Sequence, residues 1–231
     1  MYDHKQHAEH AFLYGAILNR MHLGRVLLYM GDAEAAAAMT TDGVEVAQKI
    51  RHPIGVCNAL SVAVTQEVFY HRFDAIREMT DTMLRLADEH GFPYYGAIGR
   101  VLAGWAKAMQ GAVDEGCAEM RAGMEMHRET ETAHQRTYYL TLMAEALLAA
   151  GRIGPGLQVV KDAEDTIERT GERNYEADLH RVHGELLVAA GRVSEAEASI
   201  RRAVAVARAQ GAKAFEGRAT SSLERILARD H

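Results

Sequence analysis

The sequence predicts an all-α fold, a right-handed α-α superhelix of about five helix hairpins ended by a C-terminal capping helix. Three observations predict it. Gly31, His71, Gly111, Gly151 and Gly191 are spaced 40 residues apart, inside YMGDAEAA, FYHRFDAI, MQGAVDEG, AAGRIGPG and AAGRVSEA. A second series, Arg51, Gly91, Glu131, Gly171 and Gly211, falls 20 residues after the first. Between these points the apolar spacing is helical: Tyr175, Leu179, Val182 and Leu186 stand at i, i+4, i+7 and i+11, on one face. Each interval therefore holds one helix of about 16 to 18 residues and a short turn, usually with glycine where the chain enters left-handed φ.

The elements follow in order within a single domain, 1–231. Residues 1–15 form an N-terminal helical segment, 16–211 five helix pairs, and 212–231 the capping helix. Pro53 and Pro93 open helices, where their missing N–H costs nothing. Pro155, in GPG just after the Gly151 turn, is expected to delay or kink one helix start. No sustained period-two run occurs, so strands are not expected. Seven residues before the first-series turns stand Gly24, Gly104, Ala144 and Gly184, with Val64 the exception. Twelve after them stand Gly43, Gly123, Ala163 and Ala203, with Met83 the exception in the same repeat. Small residues where two helices approach most closely are the packing offsets of a tetratricopeptide (TPR) repeat, stretched from about 34 residues to the 40 seen here. The last helix, 213–229, reads as a solvating cap with Arg218, Glu224, Arg225 and Arg229 on its outer side, and Ser221 and Ser222 read as surface residues.

Composition narrows the function. Of 231 residues 48% are hydrophobic and 25% charged, the balance of a folded globular chain. Lys+Arg 26 against Asp+Glu 32 gives a net charge of −6, the wrong sign for a surface that grips phosphates, so no direct nucleic-acid binding is expected. Apolar runs such as 35–39 are too short to cross a bilayer, and the first residues lack the apolar stretch of a secretory signal. Cys57 and Cys117 are isolated and read as small buried hydrophobes in a reducing compartment. The expected location is cytoplasmic, with no membrane contact.

Several stretches resemble a particular family. They include YDHKQHAEHAFLYG at 2–15, LADEHGFPYYGAIGRVLAGWAKAMQG at 86–111 and YYLTLMAEALLAAGR at 138–152. ERTGERNYEADLHRVHGELL at 168–187 and AVAVARAQGAKAFEGRATSSLERIL at 203–227 are the most specific. Together they resemble the C-terminal TPR region of large bacterial regulators of the ATPase and nucleotide-cyclase type, with MalT- and LuxR-like helical repeats. The chain departs from that pattern after Tyr14-Gly15, where the family's HDPGV-type loop is replaced by Ala16-Ile17-Leu18-Asn19. It also has no G-x-x-x-x-G-K-[ST], so the family's nucleotide chemistry does not carry over. The resemblance implies a sensing or scaffolding segment of bacterial signalling or transcriptional regulation.

Residue chemistry agrees with a non-enzyme. No G-x-S-x-G occurs, and paired carboxylates such as Asp88-Glu89 and Glu129/Glu131 read as solvated charge. His4, His7 and His10 (i, i+3, i+6) and Glu176, His180 and His183 (i, i+4, i+7) could gather on helix faces. His180 and His183 stand at offsets where large side chains pack, so they read as packing histidines, and neither a metal nor a cofactor is expected. The positive expectation is the concave groove lined by the first helix of each pair. Its predicted lining is Arg25, Tyr29, Asn58, Ser61, Thr65, Trp105, Met109, Tyr138, Thr141, Glu145, Asp178, Arg181 and Glu185, with Trp105 as an aromatic anchor for a partner peptide or protein. Two further associations stay open, a small-molecule effector in the cavity and a homodimer. A His/Glu metalloenzyme ranks last.

Overall fold

A computed structural model of the chain describes residues 4–130 and 134–228, with side chains from residue 15 onward. Among them are eleven α-helices and no strand: α1 (His4–Met30), α2 (Ala33–Ile50), α3 (Pro53–Phe69), α4 (Phe73–His90), α5 (Pro93–Met109), α6 (Val113–Glu129), α7 (Arg136–Ala149), α8 (Ile153–Thr170), α9 (Glu176–Ala189), α10 (Val193–Gln210) and α11 (Lys213–Leu227). They pair as five hairpins followed by α11, an α-α superhelix. Glu131, Arg229 and the side chains of His4, His7 and His10 lie outside the described residues.

The turns set the period. At each of the five hairpin turns a residue in left-handed φ donates its N–H to the carbonyl three residues back, and the next residue donates to the carbonyl five back. Gly31 bonds Leu28 at 3.0 Å and Asp32 bonds Leu27 at 3.0 Å; the pattern repeats at His71, Gly111, Gly151 and Gly191. These bonds satisfy carbonyls that a helix end leaves orphaned. His71 alone among the five carries a side chain there, at φ 56°, a geometry that costs a residue with a Cβ about 1–2 kcal/mol.

Small residues then let the helices meet. A Cβ on Gly104 would lie 2.7 Å from the Gly116 carbonyl oxygen and 2.8 Å from the Met120 nitrogen, so α5 and α6 touch backbone to backbone. Gly123 stands 2.9 Å by the same measure from the Ala97 oxygen, and Gly24 3.2 Å from the Ala36 oxygen. Gly116, outside both predicted series, makes the tightest backbone contact, against the Gly104 oxygen. Above these contacts one continuous apolar core runs from Cys57 in α3 to Phe215 in α11.

α1 runs unbroken from His4 to Met30, across the expected 15/16 boundary. One sequence expectation is corrected. α8 begins at Ile153, ahead of Pro155, and is neither delayed nor broken. Pro155 falls in the first turn, whose N–H groups have no helical acceptor to lose.

What positions the site is closure. The first helices of successive pairs, α1, α3, α5, α7 and α9, pack side by side, α11 continues the row, and α1 packs against α11. At that junction the hydroxyls of Tyr29 and Tyr175 share a hydrogen bond of 2.5 Å, and the Tyr29 ring lies 5.1 Å from that of Phe215. Phe215 is 3% exposed, and burying an aromatic ring there contributes on the order of 2 kcal/mol to closing the ring.

The glycine contacts are testable by paired substitution. Gly116→Ala should separate α5 from α6 and lower unfolding free energy by about 2 kcal/mol or more, because its Cβ meets backbone. Gly217→Ala, a helical position with nothing within 4 Å of the added carbon, should raise it by about 0.5–1 kcal/mol. Urea denaturation followed by circular dichroism reads both.

Candidate functional site

The inner face of the ring forms an open chamber of about 1180 Å³, lined by residues of α1, α3, α7, α9 and α11, by the start of α2 and by the turns after α1 and α3. Its chemistry begins on α9, where Asp178, Arg181 and Glu185 fall at i, i+3 and i+7 on one stripe. Arg181 donates through Nε to Asp178 at 2.6 Å, through Nη1 to Glu185 at 3.1 Å, and through Nη2 to Glu145 of α7 at 3.2 Å. α11 completes the set. Arg218 donates to Glu145 at 3.0 Å and faces Asp178 at 3.5 Å. Arg225 donates to Glu185 at 2.9 Å, and the Ser222 hydroxyl donates to the same carboxylate at 2.6 Å. His71, at the strained turn, places Nε2 3.9 Å from Glu145.

Arg181 is 5% exposed, Asp178 7% and Glu145 9%, so these charges are held out of water and must be paired to persist. Burial alone pushes the Asp178 carboxyl up; Arg181 and Arg218 outweigh it and hold it below the ordinary carboxylate range. Burial likewise disfavours the Arg181 charge, and Asp178 and Glu145 outweigh that, so the guanidinium stays charged. Three arginines face three carboxylates. Asp178 is thereby locked in its ionised form and is not poised to exchange a proton near neutrality, which is what acid-base catalysis would require of it.

An aromatic wall closes the chamber's inner end. Tyr138 and Tyr175 stack with centroids 4.3 Å apart, Phe215 lies between Tyr29 and Phe69, and the Arg218 guanidinium sits 5.1 Å over Phe69. Burial drives the Tyr138 and Tyr175 hydroxyls well above their ordinary range, so both stay neutral. Beyond the wall lies a second cavity of about 540 Å³, lined by Arg25, Tyr29, His134, Glu172 and Gln210 among others. The central passage is thus divided in two.

Of the predicted groove residues, the structure gathers Glu145, Asp178, Arg181 and Glu185 into the charged network and Tyr29 and Tyr138 into the wall. Arg25 faces the second cavity, beside His22 at 3.1 Å. The others are corrected, except Thr65, which lines the small cavity beside the wall with Tyr29 and Tyr138. Trp105 is 0% exposed, packed against His71 and Phe73 at 5.3 and 5.8 Å, and cannot anchor a partner. Its helix carries the largest buried ring at the closest helix contact, which pulls the indole into the core. Asn58 bonds the Tyr95 hydroxyl at 3.2 Å between α3 and α5, and Met109 packs against the main core. The hydroxyls of Ser61, Thr65 and Thr141 bond carbonyls of their own helices. Sequence reasoning missed Arg218 and Arg225, which it placed on the outer side of a cap, and Ser222, which it read as a surface residue. Their spacing, i, i+4 and i+7, marks one inward stripe, and Ser222 is 2% exposed.

No protein-family model matches the chain. It is 26% identical over 231 residues to an uncharacterized protein of Rhizobium meliloti (strain 1021), covering 98% of this chain and 22% of that relative, so the chain spans about a fifth of its length. Among solved structures it resembles the apo form of RapI, with a TM-score of 0.57 at 10% identity over 99% of this chain and 87% of that one. The likeness is one of fold, a helical-repeat superhelix. Among the described residues no helix is long and apolar enough to cross a membrane.

The network carries two expected outcomes. Arg181→Ala should cost about 3–5 kcal/mol, since it leaves Asp178 and Glu145 buried and unpaired, whereas Arg225→Ala, whose side chain is 65% exposed, should cost under about 1 kcal/mol. Asp178 has a folded pKa below its unfolded 3.8, so its contribution is complete above that value and is lost as pH falls through the folded one. Melting temperature should therefore drop below about pH 4, with a shallower slope in Asp178→Asn than in the parent.

Proposed function

We propose that the chain is a non-catalytic, TPR-like interaction module of bacterial signalling or transcriptional regulation, and that its chamber receives a protruding end or loop of a protein partner. The observation that carries this reading is the chamber's charged rim. Asp32, Glu34, Lys213 and Arg225 lie on it, all exposed, above the paired charges of Arg181 and Arg218 and beside Phe69. A chain end or loop tip fits such an open, one-sided chamber. Charges of both signs at the rim select orientation more than they add affinity.

The regulatory setting rests on the resemblance to TPR regions of MalT- and LuxR-like regulators and on a relative of which the chain matches only 22%. In this reading the chain works in the cytoplasm as part of, or beside, a larger regulator. A second reading is favoured by volume: about 1180 Å³ is close to the upper range of small-ligand pockets, so a compact effector could fill the chamber and bias the α1–α11 junction.

Site-specific photo-cross-linking separates these. A cross-linker at Ser221, exposed on the chamber wall, should capture a defined partner in host cells, and Arg225→Glu should abolish that adduct. Equal adducts from Glu224, on the outer side of α11, would sink the assignment. A native mass spectrum of untagged protein showing an excess of a few hundred daltons per chain, with no Ser221-specific adduct, would transfer the chamber to the effector reading.

A further inference from the structure

α8 and α9 bring together three ligand-bearing side chains that the chamber does not use. Gly156 of α8 lies under Leu186 of α9, where an added Cβ would stand only 2.6 Å from Leu186 Cδ2, so the two helices run in close contact. Along that contact Glu164 projects from α8, and His180 and His183 project from α9. One ligand atom from each lies within 4.8 Å of the other two. His183 Nδ1 is 3.8 Å from Glu164 Oε1. On α9 the histidines stand at i and i+3, which puts both imidazoles on one face.

We propose that Glu164, His180 and His183 bind one divalent transition-metal ion of the zinc class, clipping α8 to α9. Two imidazoles and a carboxylate suit zinc and its neighbours, and not calcium or magnesium, which take all-oxygen shells. Bonds of about 2.0–2.2 Å in tetrahedral geometry set ligand atoms about 3.4 Å apart. Gaps of no more than 4.8 Å close to that spacing with about 1.4 Å of side-chain movement. His180 and His183 are 17% and 27% exposed and Glu164 41%, so the cluster is sheltered beneath and open above, where an ion enters.

The surroundings fit the ion's charge. Glu176 Oε1 stands 3.8 Å from His180 Nε2, positioned to orient that imidazole, and is itself held by Arg173 at 2.9 Å. Arg202 is directed at the same Glu176, and Arg192 is paired with Glu195. Asp165 and Glu168 flank Glu164 and add negative charge. Three protein ligands leave a fourth position for water or for a side chain of a bound partner. The α9 stripe Glu176, His180 and His183 is visible in sequence; the true third ligand comes from the preceding helix, which only packing reveals.

The test uses untagged, full-length protein stripped with a chelator and titrated with zinc chloride against a chromogenic competitor. One ion per chain should bind with Kd at or below about 10 μM. Glu164→Gln and His183→Gln should each weaken it by at least about tenfold while circular dichroism is unchanged. A variant with His4, His7 and His10 replaced by Ala should bind as the parent does. Melting temperature should rise with zinc in the parent and not in His183→Gln, because the ion binds the folded state. Absence of binding at about 10 μM overturns the proposal. So does undiminished binding by His183→Gln, or loss of binding in the variant lacking the N-terminal histidines.

Discussion

The contact that joins Tyr29 of α1 to Tyr175 and Phe215 near the far end of the chain turns an open stack of hairpins into a closed ring. Solenoid repeats touch only their neighbours, so an open stack flexes by the sum of small rotations between hairpins. Linking the first inner helix to the last removes that freedom and gives the interior a defined volume. It also explains why the aromatic residues are so concentrated. Tyr29, Phe69, Tyr138, Tyr175 and Phe215 come from α1, α3, α7, the N-terminus of α9 and α11, and only a ring that closes can bring them to one point.

The charged network depends on that closure in turn. Arg181 sits among Asp178, Glu185 and Glu145, a surplus of negative charge in a low-dielectric interior. Two further cations restore balance, and both, Arg218 and Arg225, arrive on α11. Take α11 away and Glu145 and Asp178 each lose an arginine partner. Helix α11 is therefore less a lid that ends the stack than the counter-charge that makes a buried Arg181 tolerable. The same two arginines thus line the chamber and hold α11 in place.

Much of this architecture was legible in sequence because its causes are local. A left-handed turn residue every 40 positions and small residues seven before and twelve after it each impose their geometry wherever they stand. Gly116 belongs to a third small-residue series, five after each turn, with Ala36, Gly156 and Ala196 and with Ile76 the exception, which the two offsets chosen did not include. The site was half legible. Offsets placed Glu145, Asp178, Arg181 and Glu185 on the inner face, since those helices repeat. They misplaced Trp105, because an offset tells which way a residue points and not how far the next helix has moved in to cover it. They misassigned Arg218, Ser222 and Arg225 because the last helix of an open solenoid has nothing to face inward on, whereas in a closed ring one side of it faces the chamber. Ring closure is a long-range property, and no window of the sequence contains it.

His71 shows how turn, core and chamber are tied. Four of the five hairpin turns use glycine at this position; here the chain accepts a strained backbone to keep an imidazole. Strain of that size persists only where surroundings over-determine it. The ring lies edge-on to Trp105 at 5.3 Å, and Nε2 faces Glu145 at the centre of the charged network. Glycine would relax the turn, yet it would leave the indole without its edge contact and Glu145 without the nitrogen that faces it beside Arg181 and Arg218. The same repeat is also the one whose small packing residues are replaced by Val64 and Met83, both fully buried. Larger residues stand at the closest-approach positions between α3 and α4, and the turn of this repeat, like that after α1, enters the chamber. The departures from periodicity thus coincide: where the repeat gives up its glycines, it acquires a side chain in the site.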